Sequence, residues 1–287
     1  MTGLLDTALV RRVRQTPALR PPAIAAYRML DRMMPARPGP RVVANSMPKS
    51  GTHLLASMLD QLDGMRFSGR LVTFDAGDRF DPDRPLAKLD TCLKRLRDSH
   101  YIGGHLIRDP RVEQRIVASG AKLLTILRDP RAVVVSGAHY VMDARHIQGR
   151  DEALEGFPDH ASVLRAMVFG RGEPGERFYF PEIGERFRRY ADWADSSAGM
   201  TVLFEDLIGH RGGGSRDDQV AQVAAILDFL GYDADSSSAI AEQMFSEKAI
   251  TFRAGRIDSW RDDLTPELVG EIEHRCGDTM ARLGYSA

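Results

Sequence analysis

Cysteine is scarce in this chain. Cys92 and Cys276 are the only two, too few for a disulfide framework and in keeping with a reducing compartment. No apolar run approaches the ~18 residues that a membrane-crossing helix needs, and no signal-peptide-like apolar stretch opens the sequence. A soluble cytoplasmic protein is therefore expected. Neither sign of charge dominates: 39 Lys and Arg face 40 Asp and Glu, for a net charge of −1. That balance carries no global nucleic-acid signature, and no nucleic-acid partner is expected. Internal repeats and low-complexity tracts are absent, which excludes solenoids and linker-like chains. Eight histidines are present, but none pairs with another and a carboxylate at metal-ligand spacing, so no metal is expected.

What is present is enough for one sizeable core, with 287 residues of which 43% are hydrophobic. Apolar stretches at 42–47, 101–105, 122–127 and 201–205 read as strands that alternate with helical segments. This pattern predicts a single α/β domain with a central parallel sheet flanked by helices. Ligands of such sheets bind beyond the carboxyl ends of the strands.

The first of these strands runs into Asn45-Ser46-Met47-Pro48-Lys49-Ser50-Gly51-Thr52-His53, after which Leu54 to Leu62 repeats at helical spacing. A small-residue turn between strand and helix directs free N–H groups and the positive end of the helix dipole at one point, a ready anion site. Lys49 adds a charge there; Ser50 and Thr52 add hydroxyl donors. The nucleoside-triphosphatase loop places its Lys after the second Gly. Here Lys49 precedes Gly51, with no other Gly upstream until Gly39.

A second strand–turn–helix follows at Lys122 to Ser136. Asp129 is placed to cap a helix opened by Pro130, where a missing N–H does no harm. Arg128 leaves the strand end and Ser136 sits eight residues later, in the second helical turn. Both can serve one oxyanion, with Arg as a forked donor. Arg108-Asp109-Pro110-Arg111 is a similar tetrad, read as a loop-to-helix turn. A third segment runs Thr251-Phe252-Arg253-Ala254-Gly255-Arg256-Ile257-Asp258-Ser259-Trp260.

Together these three segments resemble the sulfotransferases that use 3′-phosphoadenosine 5′-phosphosulfate (PAPS), a P-loop nucleotide-kinase-like architecture. Pro48 to Thr52 is similar to their 5′-phosphosulfate loop, Arg128 and Ser136 to their 3′-phosphate site, and Arg253 and Gly255 to the residues that close over that phosphate. Ala254 replaces a family Lys, and Ser259 stands where Asp is common. The resemblance implies PAPS as donor, bound by Lys49, Ser50, Gly51, Thr52, His53, Arg128, Ser136, Phe204, Arg253 and Gly255, without metal. Phe204 takes a place held by Tyr near the adenine in many relatives. His53-Leu54 departs from the family's adenine-stacking Trp, so adenine packing is expected to differ.

A general base near neutral pH is most simply a His. His105 ends the strand Tyr101 to Leu106, and the family's catalytic His occupies a comparable place; His105 and Lys49 are the expected catalytic pair. Gly103 stands where relatives carry a Lys, with Arg108 a nearby substitute. His139 and His146 are further candidates for facing the acceptor, while His100, His160, His210 and His274 read as surface residues. Trp193 and Trp260 read as packing residues.

Residues 1–41 form a separate extension, with eight Arg against two Asp and six Pro, and its helical stretches are broken at Pro17 and Pro21-Pro22. A weak contact with an anionic lipid surface is one expectation for it. The sulfotransferase-like domain then spans 42–287. Acceptor recognition is assigned to the irregular stretches 69–85 and 146–181, and 209–215 reads as a flexible connection. The acceptor is a small molecule or glycan, with a carbohydrate or glycolipid hydroxyl favoured over a small phenol or amine. Oligomeric state stays open, because Pro266 disturbs the segment that forms dimers in many relatives. Two other functions compete: a P-loop phosphotransferase or nucleotide hydrolase, and a non-catalytic module for adenosine 3′,5′-bisphosphate.

Overall fold

The computed structural model describes residues 20–35, 37–74, 83–143, 156–173, 179–244 and 256–286. Five strands form one sheet: β1 (Arg41–Ser46), β2 (Arg66–Phe74), β3 (His100–Leu106), β4 (Lys122–Leu127) and β5 (Gly199–Leu203), in the order β2-β3-β1-β4-β5. Every pairing is parallel. The helices are α1 (Arg20–Met33), α2 (Thr52–Leu59), α3 (Asp83–Lys94), α4 (Pro110–Ser119), α5 (Pro130–Met142), α6 (His160–Phe169), α7 (Ile183–Ala191), α8 (Phe204–Ile208), α9 (Arg216–Leu230), α10 (Ser237–Gln243) and α11 (Pro266–Arg282).

Parallel strands need crossovers, and the crossover helices cover both sheet faces, so the strands read as continuous apolar runs. Alternation along β1 sorts the core into two layers. Val43, Ile102, Leu123 and Leu127 pack with α3, α4, α5, α6, α7 and α11. Val42, Ala44, Leu124, Ile126 and Val202 pack with α2, α8, α9 and α10 on the other face.

Two helices start as the sequence predicts. The Asp109 and Asp129 side chains accept from the backbone N–H of Arg111 and Arg131, with Pro110 and Pro130 next in line. The tetrad at 108–111 is thus a loop-to-helix turn.

Other expectations need correction. Residues 69–74 are not an irregular recognition loop; they belong to β2, which the period-2 reading missed. Gly69, at φ 71°, lies in a register shift between Phe67 and Leu71, and this bulge breaks the alternation. Pro21-Pro22 do not break a helix but occupy the first turn of α1, where proline is tolerated. Residues 209–215 are a self-bonded turn: Gly212 and Gly214 N–H both donate to the Gly209 carbonyl, and the Gly212 carbonyl accepts from Ile257 N–H. His100 is fully buried, with its Nε2 3.0 Å from Asp31 of α1.

One buried amide ties the sheet to the site. Asn45 on β1 donates to the Leu106 carbonyl (3.0 Å) and to Thr125 Oγ1 (3.3 Å), and accepts from Leu106 N–H (2.8 Å). It fastens the strand end that carries His105. Asn45→Ala leaves buried donors and acceptors unmatched and is expected to lower stability by about 2–4 kcal/mol in urea titrations.

Candidate functional site

The strand registers bring three residues to one edge of the sheet. Asn45 is level with Gly104 on one side and Thr125 on the other. Ser46, His105 and Ile126 therefore form the next row, and the chain beyond them carries Lys49 and Arg128. Strands at ~4.8 Å spacing keep these positions close.

The β1–α2 loop is tightly wound. Ser50 N–H donates to the Met47 carbonyl (3.0 Å), and Leu55 N–H to the Gly51 carbonyl (3.0 Å). Lys49 takes φ 76°, a left-handed conformation uncommon for a residue with a side chain. Gly51, at φ 107°, has no alternative, because a Cβ there would lie 2.7 Å from the Phe204 ring. The Ser50 hydroxyl is buried without a hydrogen-bond partner among the described residues. Thr52 opens α2 and its Oγ1 is 2.7 Å from Ser46 Oγ, while His53 is exposed in the first turn.

His105 leans on the same loop. Its Nδ1 lies 2.9 Å from the Ser46 carbonyl and 3.2 Å from Ser46 Oγ. A carbonyl only accepts, so Nδ1 carries the proton and Nε2 is the basic nitrogen of the neutral ring.

Among the described residues, neither Lys49 nor Arg128 forms an ion pair. The Lys49 ammonium sits 4.3 Å from the centre of the Tyr140 ring. Burial, and then repulsion from Arg128, lower its pKa to about 8. Arg128 is buried, with its guanidinium 4.2 Å over the Phe204 ring and Nη2 donating to the Arg256 carbonyl (3.1 Å). Its Nε has no partner among the described residues, and burial pushes its pKa down. Attraction from Glu205 and Asp129 opposes that shift, and both carboxylates also have direct partners. Asp129 pairs with Arg131 at 2.8 Å, and Glu205 accepts from Asp129 N–H (3.1 Å) and the Tyr285 hydroxyl (2.8 Å). Burial raises the Glu205 carboxyl, and raises Tyr285 well above its usual value with Glu205 adding to it.

The structure thus assembles Lys49, Ser50, Gly51, Thr52, His105, Arg128 and Phe204. Ser136 is half-buried on α5, one turn before Tyr140. Arg253 and Gly255, and His146, lie outside the described residues; Arg128 donates to the backbone carbonyl of Arg256, next to Gly255 in the chain. The sequence reading missed Tyr140 and Tyr285. Tyr140 follows Ser136 by four positions, a same-face helical spacing that was available. Tyr285 carried no local signal.

His139 pairs with Asp263 at 2.9 Å and stacks on His160 at 4.2 Å between ring centres. Three ligand-type atoms of this group lie within 4.8 Å of one another. Chain spacing hides the group because its members come from α5, α6 and the turn before α11. His160 is half-buried here, not a surface residue. Trp260 is buried, packed between the guanidinium groups of Arg131 (4.4 Å) and Arg261 (4.3 Å).

No family model matches the sequence, and no curated protein matches it. The fold does have solved counterparts. A mouse sulfotransferase, SULT7A1, complexed with PAP, shares 18% identity over 84% of this chain and 85% of its own, with a TM-score of 0.56. Retinol dehydratase in complex with androsterone and inactive cofactor PAP shares 15% identity over 89% and 84%, with a TM-score of 0.57. Its complex with retinol and PAP gives 17% identity, 89% and 85% coverage, and a TM-score of 0.51. The chain has the sulfotransferase fold.

The lowered Lys49 pKa has a consequence for the ligand-free protein. Between about pH 8 and 10.5 the unfolded state holds a proton at Lys49 that the folded state has released, so stability rises with pH across that window. The difference in unfolding free energy between wild type and Lys49→Met is expected to move in favour of wild type as pH rises through it. A pH-independent difference would contradict the reading.

Proposed function

We propose that this chain transfers a sulfuryl group from PAPS to an acceptor hydroxyl. The observation that supports this most is the pair of neighbouring cations, half-buried Lys49 and buried Arg128, at the ends of adjacent strands β1 and β4. A ligand with anionic groups at two ends relieves both at once. A nucleotide with a 5′-phosphosulfate and a 3′-phosphate has that charge distribution, and PAP occupies solved structures of the same fold.

In this reading the Gly51 and Thr52 amides and the Ser50 and Thr52 hydroxyls hold the 5′-phosphate, with His53 at its rim. Arg128 and Ser136 hold the 3′-phosphate together with Arg253 and Gly255, and Phe204 supports Arg128 from beneath. His105 Nε2 takes the acceptor proton as the acceptor oxygen bonds to sulfur. Lys49 balances charge on the phosphate oxygen as its bond to sulfur breaks. Aligning donor and acceptor supplies much of the rest. Arg131, held by Asp129 and by Glu273 at 2.8 Å, fastens α5 to α11 and so fixes the helix that carries Ser136.

The acceptor is proposed to be a carbohydrate or glycolipid hydroxyl, with small phenols or amines second; solved relatives of the fold hold androsterone or retinol. The catalytic unit is taken as 42–287, with 1–41 an extension that docks through α1. No described helix is long and apolar enough to cross a membrane.

Radiolabelled PAPS with a panel of glycan, glycolipid, phenol and amine acceptors tests the activity. His105→Ala is expected to lower kcat by roughly 10²–10⁴-fold. Arg128→Ala acts mainly on the donor KM. For wild type, kcat/KM should fall above pH about 8 as free Lys49 loses its proton. In Lys49→Arg that alkaline limb should disappear. Transfer at the wild-type rate by His105→Ala, or protection of the protein by Mg-ATP in preference to PAP, would contradict the proposal.

A further inference from the structure

Helix α1 is amphipathic in the wrong sense for a helix that lies on a core. Tyr27, Arg28 and Asp31 are the members turned to the domain. Tyr27 hydroxyl donates to the Phe67 carbonyl, Arg28 to the Gly69 carbonyl, and Asp31 faces His100. Pro22, Ala26, Met29, Leu30 and Met33 are exposed. They fall at i, i+4, i+7, i+8 and i+11, one continuous face of a helix. Met29, Leu30 and Met33 are 68%, 63% and 75% exposed. A row of large apolar side chains held in water by polar anchors behind it marks a docking surface.

Cations beside it indicate what docks. Between α1, β2 and the end of α3 lies a cavity of about 250 Å³ lined by Arg28, Arg32, Arg70, Lys94, Arg95 and Arg97. Among the described residues Asp31 is its one acidic lining residue, and it already faces His100, Arg66 (3.6 Å) and Arg97 (3.8 Å). The Ser68 hydroxyl, buried at 4% exposure in the cavity wall, has no hydrogen-bond partner among the described residues. Burial, then repulsion from Arg28, Arg32 and Arg95, lowers the Arg70 pKa. The cavity thus has an unmet demand for an anion.

We infer that α1 docks the protein on an anionic phospholipid surface, with Met29, Leu30 and Met33 entering the acyl boundary and the flanking arginine cavity receiving a lipid phosphate. A helix lying in the membrane interface combines these two features. The inference stands or falls apart from sulfuryl transfer.

Density-gradient flotation of the full chain tests it, using vesicles of phosphatidylcholine alone or mixed with phosphatidylglycerol. Wild type should float with the mixed vesicles and remain behind with phosphatidylcholine. Met29→Glu/Met33→Glu, at exposed positions, should stay at the bottom while keeping the wild-type circular dichroism spectrum. Arg32→Ala/Arg95→Ala should weaken partitioning by roughly 25-fold, about fivefold for each cation. Three results would overturn the inference. One is equal flotation of the Glu variant and wild type. Another is a lipid-free dimer that the Glu variant converts to monomer, with no flotation. The last is thermal protection by inorganic phosphate in a protein that ignores vesicles.

Discussion

Two positive charges that repel each other are held at the carboxyl ends of neighbouring buried strands, and most of the structure around them follows from that arrangement. Lys49 and Arg128 leave β1 and β4 at nearly the same level because the parallel register of those strands places Ser46 beside Ile126. The fold supplies this alignment without ligand-specific design, since every crossover returns the chain to the same sheet edge. Glu205 and Asp129 attract Arg128, but among the described residues neither forms a direct ion pair with it. Asp129 is occupied by Arg131, and Glu205 by the Asp129 amide and Tyr285. The carboxylates nearest Arg128 therefore serve as structural anchors as well as countercharges.

The strained parts of the loop serve the same end. A left-handed Lys49 and a Gly51 that cannot carry a Cβ under Phe204 turn the loop sharply before α2. Backbone strain of this kind persists only where surrounding structure enforces it. Phe204 lies against Gly51 and also beneath Arg128. One aromatic ring thus touches both the β1–α2 loop and the second cation. On the other side, the Ser46 carbonyl fixes the proton on His105 Nδ1, and Asn45 fastens the strand end beneath it.

Much of this was legible from residue patterns. The central strands, the proline-opened helices after Asp109 and Asp129, and the convergence of Lys49, His105 and Arg128 followed from apolar runs, caps and strand–turn–helix order. Those signals are local, and each is encoded within a few residues. The edge strand β2 was missed because a bulge at Gly69 spoils its alternation. The burial of His100 was missed because its partner Asp31 lies 69 residues away on an otherwise exposed helix. Tyr285 and the His139–His160–Asp263 group were equally invisible, since distant elements assemble them and no spacing announces them.

Calorimetric binding of adenosine 3′,5′-bisphosphate and adenosine 5′-monophosphate, in the absence of magnesium, tests the paired-cation claim most directly. The account requires wild type to favour the bisphosphate strongly and Arg128→Ala to lose most of that preference, while Lys49→Ala weakens both nucleotides alike. Equal affinity of wild type for the two nucleotides would show that Lys49 and Arg128 do not hold opposite ends of one ligand.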